Sequence, residues 1–319
     1  MAYTGTGDVS SDTAAFQQLA YFAFRSQPMY EMIADVRSTA QTHNGASVQF
    51  NIYDNMAQAT SALTEASDVT AVALGDSTVV VTLAEYGNAV ITTAKLRGTS
   101  FLNVDADAAN IIGYNMVDSI DKLVSNVANG GTNVIYAQGS MGSRPTSRVG
   151  IADAATFGAQ EGRQAVAELR TASAPGFENG NYIGLVHPDV SYDLREQTAV
   201  TDVIQYQIRQ EGAAVRNGSI GVFGGIEWIE NPRAPILDDA GATSTTNVYQ
   251  TLVAGRQALA KAFSRAPGFG EDPSVVFGPV TDTLRRFHPV GWYHLVGHAI
   301  FRQAALQRIE SSSSIGDNT

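Results

Sequence analysis

The stretch DADAANIIGYNMVDSIDKLVSNVANGG, residues 105–131, decides how the rest of the chain is read. Within it Ile112, Met116, Ile120, Leu123 and Val127 recur at spacings of four, four, three and four, which puts them on one face of an α-helix. Asp105 is the expected N-terminal cap, and Gly130-Gly131 the expected left-handed C-terminal cap. The prediction is a helix of about 24 residues, roughly 36 Å long at 1.5 Å per residue. Such a rod can brace an extended subunit.

Upstream of the helix, from Ser47 to Lys95, the period changes to two. Val48, Phe50 and Ile52 alternate with Gln49 and Asn51, and a second run, Thr78 to Leu83, opens with β-branched residues. These are two long strands separated by about two dozen small and polar residues, with Gly75-Asp76 as the expected tight turn. A lone pair of strands cannot bury a core, so the hairpin must pack on something else, and a neighbouring subunit is a candidate. Earlier still, Ser11-Asp12 caps an apolar segment from Ala14 to Phe24, which reads as a loose arm running into a short helix. Pro28 interrupts it, and Met29 to Val36 forms a second helical piece before a turn at His43-Asn44-Gly45.

Downstream the pattern is mixed. A helix from Phe157 to Thr171 is closed by Pro175-Gly176, and a buried strand, Tyr182 to Val186, runs into His187-Pro188-Asp189 and a further helix. Asn217-Gly218, Gly221, Gly224 and Gly225 punctuate strands that include Ile226 to Ile229, and Asn231-Pro232 ends the last of them. A polar loop, Asp238 to Asn247, precedes a strand from Val248 to Ala254 and a short helix from Gln257 to Phe263. Gly291 to Ile309 has strand character and leads to a Ser-rich tail. The fold class is α+β.

The chain has 319 residues, enough to bury a substantial core in one large or two modest domains. Only 16 % of the residues are charged, against roughly 25 % in a typical soluble protein. Neutral surface rich in Ala, Thr, Gly, Ser and Asn is desolvated cheaply against another copy, so the composition leans towards a protein that lives in contact with protein. The net charge is -11 and the lysines are Lys95, Lys122 and Lys261, which disfavours sequence-specific nucleic-acid binding. An acidic wall can still enclose DNA without gripping it. With no cysteine, disulfides, thiolate metal sites and cysteine nucleophiles are excluded together. Neither a signal sequence nor an apolar run of about 18 residues is seen, and the expectation is a chain that is cytosolic and soluble when made.

The chemistry-bearing residues favour structural roles. His294 and His298 are four apart, but Leu295-Val296-Gly297 between them lacks the glutamate of a zinc-protease motif, so two partly buried histidines is the preferred reading. His187 follows an apolar strand, where α/β enzymes place catalytic groups, yet Pro188 stopping the strand and Asp189 capping the next helix is the simpler account. Gly5-Thr6-Gly7 lacks the strand, third glycine and helix of a dinucleotide loop. Neither a Gly-Lys-Ser/Thr loop nor a Gly-x-Ser-x-Gly elbow occurs. Trp228 and Trp292 read as core, Asp238-Asp239 as solvated loop, and Arg285-Arg286 as surface able to meet a phosphate or a neighbour's carboxylate. No catalytic residue, cofactor or metal is expected.

The order of segments, polar arm, long hairpin, long helix, compact α/β region and return strands, resembles the Hong Kong 97-type phage capsid fold. Local wording is similar to the actinobacteriophage and podophage major capsid family. It lies in Leu63-Thr64-Glu65, in Leu83 to Val90, in Thr93-Ala94-Lys95-Leu96-Arg97-Gly98 and in Gly131 to Ala137. It continues in Leu185 to Asp189 with Tyr192 to Arg195, and in Gly225 to Pro232. The resemblance implies an N-terminal arm (1–45), an extended loop (46–98), a spine helix of the peripheral domain (99–130) and an axial domain (131–247). Residues 248–319 would supply the remaining axial segment, the return strands of the peripheral domain and the tail. It further implies a virion subunit made in the host bacterial cytoplasm and assembling with itself into pentamers and hexamers around double-stranded DNA. A portal and scaffold or decoration proteins would be its other partners, with no membrane. Assembly contacts are expected at Phe16, Phe22, Leu63, Glu65, Lys95, Arg97, Arg285 and Arg286. Some relatives weld their subunits through lysine and asparagine side chains; Asn55 to Ser77 contains no lysine, so a non-covalent shell is expected. The alternatives are an encapsulin-like compartment and a mixed α/β enzyme with a site near His187.

Overall fold

Described in a computed structural model are residues 25–36, 45–63, 65, 68–100, 104–177, 180–196, 219–264, 270–278 and 283–315. The expected helix at Ala14–Phe24 lies outside them. The expected helical piece at Met29–Val36 is a 3-10 turn, Tyr30–Ile33, followed by a strand, β1 (Ala34–Val36). The change of state comes from a distant partner, since β1 pairs in parallel with Leu259–Lys261.

The period-two segment gives β2 (Ser47–Tyr53) and β3 (Asp76–Thr82), antiparallel from Ser47↔Thr82 to Tyr53↔Asp76. Gly75-Asp76 is not a tight turn: the Gly75 carbonyl accepts the Asp54 N–H at 3.0 Å and closes the ladder beneath a loop formed by residues 54–75. β4 (Ala84–Thr93) follows, and Thr93 caps the short α1 (Ala94–Thr99) by accepting the Leu96 N–H at 3.2 Å. The long helix, α2 (Val104–Ala128), has 25 residues. Asp105 lies within its first turn and does not cap it; the carboxylate holds Arg97 instead. Nor does a left-handed residue end it: neither Gly130 nor Gly131 has positive φ. Their N–H groups reach Val127 and Ala128 carbonyls at 3.1 and 3.3 Å, tightening the last turn and satisfying its acceptors by 3-10-type bonds.

The remaining elements are β5 (Val134–Tyr136), α3 (Ala159–Thr171), β6 (Tyr182–Val186), α4 (Pro188–Glu196), β7 (Ser219–Phe223), β8 (Ile226–Glu230), β9 (Ile236–Leu237), β10 (Val248–Ala254), β11 (Leu259–Phe263), β12 (Ser274–Phe277), β13 (Phe287–Ile300) and β14 (Leu306–Ser311). The helix expected at Gln257–Phe263 is thus a strand. Leu-Ala-Lys-Ala has helical propensity, but β11 is buried throughout and held between β1 and β13, and that pairing overrides propensity.

Chain contacts define two units. The larger comprises Ser26–Tyr86, Val117–Ser274 and His294–Thr319. Its main sheet has the order β5-β14-β10-β6-β8-β7, with β9 on β10. β6 and β10 are buried at every position, as strands covered on both faces must be. One cluster gathers Phe157, Leu169, Val190, Leu194, Trp228 and Tyr249 from α3, α4 and the sheet; a second gathers Tyr30, Ile33, Val124 and Ala128 with Leu185, Leu252 and Leu306. Trp228 stands edge-on to Phe157 at 5.5 Å, and a Cβ on Gly184 would come within 2.5 Å of its ring, so no other residue fits there. A third cluster joins Val48, Val81 and Leu83 of the hairpin to Ala260, Ala262 and Phe301. The root of the hairpin therefore packs on its own subunit, a partner that strand alternation alone could not identify. Inside the same unit Glu310 is fully buried, accepts from Arg148 (2.8 and 2.5 Å) and Gln250 (3.2 Å), and forms an ion pair with Arg308, whose Nε lies 2.9 Å away. Burial would raise its pKa, but the Arg148 hydrogen bonds and the two guanidinium charges outweigh that and hold it below the usual glutamate value.

The smaller unit comprises Met1–Arg25, Gly87–Met116 and Val275–Tyr293. β4 and β12 both pair with β13. Trp292 donates to Asn115 at 2.9 Å, and Arg25 donates to Asn110 at 2.9 Å while lying over the Tyr114 ring.

Candidate assembly surfaces

Among the described residues of the 54–75 loop, which leaves the β2–β3 ladder, none belongs to a hydrophobic cluster. Met56, Leu63, Val69, Val72 and Leu74 are between 58 % and 78 % exposed, and Tyr53 at its base is 70 % exposed. A run of exposed apolar side chains this dense marks a surface made for another molecule. Leu63 and Glu65 both lie on it, exposed to solvent.

Lys95 and Arg97 lie on α1 and are exposed, as are Arg285 and Arg286 ahead of β13. The structure brings the two pairs together: the Ala94 N–H donates to the Arg286 carbonyl at 2.7 Å, and the Thr92 hydroxyl to the His288 carbonyl at 3.3 Å. Arg97 is anchored, with Nε and Nη2 on Asp105 Oδ1 at 2.9 and 2.8 Å. Arg286 lies over the Phe287 ring at 5.5 Å, and Arg285 has φ 53°, a left-handed conformation that costs a residue with a Cβ about 1 kcal/mol. Phe16 and Phe22 lie outside the described residues.

Sequence reasoning missed Asp121. Its carboxylate is buried on α2, where Oδ1 accepts the N–H groups of Met29 and Tyr30 at 2.9 and 2.7 Å. Arg233 meets its other oxygen at 3.1 Å and also holds the Asp118 carboxylate and carbonyl. Burial raises the Asp121 pKa against the opposing Tyr30 hydrogen bond and Arg233 charge, and burial likewise raises Tyr30 to about 12. The one available signal was an acidic residue beside Ile120 in an apolar stripe.

His187, His294 and His298 are all at least partly buried. His187, not Asp189, occupies the cap of α4: Pro188 takes the first helical position, where no N–H is needed, and His187 Nδ1 accepts the Asp189 N–H at 3.3 Å. Asp189 instead accepts from the Tyr249 hydroxyl at 3.0 Å. Burial lowers the His187 pKa against the opposing Asp189 carboxylate, whose Oδ2 lies 3.2 Å from Nδ1. His294 and His298 share a face of β13, and Lys261, paired with Glu31, is the register partner of His298. Burial, then the Lys261 charge, lowers both, His298 to about 4. A cavity of about 310 Å³ is lined by Asp153, Asn247, Tyr249 and the hydroxyls of Thr245 and Ser312–Ser314. Among the described residues no cluster of three or more His, Asp or Glu could hold a metal, and no helix is long and apolar enough to cross a membrane.

A hairpin that reaches out, a long bracing helix and a sheet domain with helices on it form the Hong Kong 97-type architecture, and solved structures share it over almost the whole chain. The capsid of Ralstonia phage GP4 superposes with a TM-score of 0.77 at 15 % identity, covering 100 % of this chain and 99 % of that one. For the cyanophage Pam1 capsid the values are 0.73 and 13 %, covering 98 % of each chain. For the capsid of Helicobacter pylori bacteriophage KHP30 they are 0.72 and 12 %, covering 98 % of this chain and 99 % of that one. No curated protein matches in sequence. The family described as phage capsid protein matches residues 6–310, and the chain belongs to it. It is a major capsid protein of a tailed bacteriophage, a structural component of the virion, as its order of segments implied. The encapsulin-like alternative is not favoured.

Proposed function

We propose that the chain assembles with itself into pentamers and hexamers, in the host bacterial cytoplasm, closing an icosahedral head around double-stranded DNA. The observation that carries this reading is the 54–75 loop, whose apolar side chains Met56, Leu63, Val69, Val72 and Leu74 are exposed. Head-to-tail contacts of one loop on the next subunit close into rings, and many modest contacts sum to a durable wall. A net charge of -11 suits a container that holds DNA without sticking to it. In this reading residues 1–45 are the arm, 46–98 the extended loop, 99–130 the spine, and 131–247 the axial domain. Residues 248–319 complete the axial and peripheral domains, and the role is structural, not enzymatic. Phe16, Phe22, Leu63, Glu65, Lys95, Arg97, Arg285 and Arg286 are the proposed contacts, and a portal with scaffold or decoration proteins would complete the head. Electron microscopy of the chain expressed alone tests the proposal: closed shells, tubes or capsomer rings are expected, and a monodisperse monomer at high concentration would overturn it. On denaturing gels, particles should run as a monomer band, because the loop offers no lysine for a covalent weld.

A further inference from the structure

The shell reading gives no role to the cavity of about 310 Å³ in the larger unit. Asn247 and Tyr249 at the head of β10, Ser312–Ser314 past β14, and Asp153 and Thr245 from two loops line it. Its walls are fixed by the fold. Thr156 bridges to Ser312 in parallel, and the Ser312 N–H donates to the Ala155 carbonyl at 2.9 Å, which ties the Asp153 loop to the end of β14. The Ser314 N–H donates to the Asp193 carboxylate at 3.1 Å and holds the three serines in place as one wall. Asn247, Tyr249, Ser312 and Ser313 are all buried.

Several of the lining groups are already committed. Asp153 Oδ1 accepts the Thr246 hydroxyl at 2.6 Å, Asn247 Oδ1 accepts the Asp239 N–H at 3.0 Å, and the Tyr249 hydroxyl donates to Asp189 at 3.0 Å. Among the described residues Asp153 Oδ2, Asn247 Nδ2 and the Ser312 hydroxyl have no hydrogen-bond partner. What is left over is one carboxylate acceptor, one amide donor and a hydroxyl able to act either way. This set selects against ions. No lysine or arginine lines the cavity, and the carboxylate repels an anion. A cation such as calcium takes about six to eight oxygen ligands. Here it would meet one carboxylate, and Asn247 has its donors, not its oxygen, to spare. A pair of adjacent hydroxyls fits instead, one donating to Asp153 and its neighbour accepting from Asn247. The volume is near the lower end of the roughly 300–1,000 Å³ typical of ligand pockets, which suits a single sugar ring.

We propose that this cavity binds a small neutral saccharide, held through two adjacent hydroxyls by Asp153 and Asn247, with the Ser312 and Ser313 hydroxyls on its remaining oxygens. The inference goes beyond the shell reading and does not depend on it. Water fills the same space in the absence of ligand, and sugar hydroxyls displace it readily because they reproduce its hydrogen bonds.

Saturation-transfer NMR on the full chain, with D-glucose, D-galactose and D-mannose as probes, tests the site. At least one of the three should show saturable transfer with a millimolar Kd, as expected for a ligand this small. Asp153→Asn keeps an oxygen for the Thr246 hydroxyl but replaces the unused acceptor by a donor, so it should weaken binding by about tenfold or more. Thr245 lines the cavity and is exposed, so Thr245→Trp fills the mouth and should abolish transfer. Both variants should melt like the parent; if Asp153→Asn fails to fold, Thr245→Trp alone decides. If none of the sugars shows saturable transfer, the cavity holds water only and the proposal falls. Transfer that is equal in the parent and both variants places the sugar elsewhere and also overturns it. So does calcium chloride that raises the melting temperature of the parent and displaces the sugar, which would make the cavity a cation site.

Discussion

The two ends of one hairpin meet opposite fates. At its root Val48 and Val81 are 3 % and 0 % exposed, and Phe50 stands edge-on to Phe301 at 6.2 Å. At its tip Leu63 is 78 % exposed. The strands are continuous with the loop in sequence, and large apolar side chains occur in both. What separates them is whether the subunit itself offers a partner. The root is part of folding, and in the proposed assembly the tip is the surface left for another copy.

Substitutions sharpen this contrast. Phe301→Ala removes the ring on which the root packs and should destabilise the subunit by about 3 kcal/mol, seen as a lowered denaturation midpoint; an unchanged midpoint would mean that the root is not anchored there. A smaller effect is expected from acid. His298 is held neutral with a pKa of about 4, whereas an unfolded histidine titrates near 6.5, so the unfolded chain binds more protons between these values. Stability is full above pH 6.5 and is lost as pH falls towards 4, by roughly 2 kcal/mol at pH 4.5 from this group. Denaturant titrations at pH 7 and 4.5 should show a loss that His298→Gln reduces by that amount; an equal loss in both proteins would remove the histidine from the account. The smallest effect on folding belongs to the tip. Leu63→Ser should change subunit stability by less than about 0.5 kcal/mol while lowering the yield of assembled particles, and a large drop in melting temperature would show that the tip is packed after all.

Where structure followed from local pattern, it was legible. β6 and β10 begin and end where expected because continuous apolar runs are bounded by turn residues, and α2 follows from its stripe of apolar positions. β11 was read as a helix because its strand partners, β1 and β13, are distant in sequence and nothing local reports them. Leu63 and Glu65 could be placed in an outreaching loop from the small, polar residues around them. Asp121 could not be given its role, since the groups it binds, at Met29 and Tyr30, lie about ninety positions earlier.

Asp121 also joins two stretches of chain that are far apart in sequence. At Met29-Tyr30 the chain is moored to the helix by two backbone N–H groups on a carboxylate that Arg233 steadies from the opposite side. To shift this mooring would leave two backbone N–H groups without their acceptor and a buried carboxylate without its partners, so the junction resists displacement far more than its short length suggests.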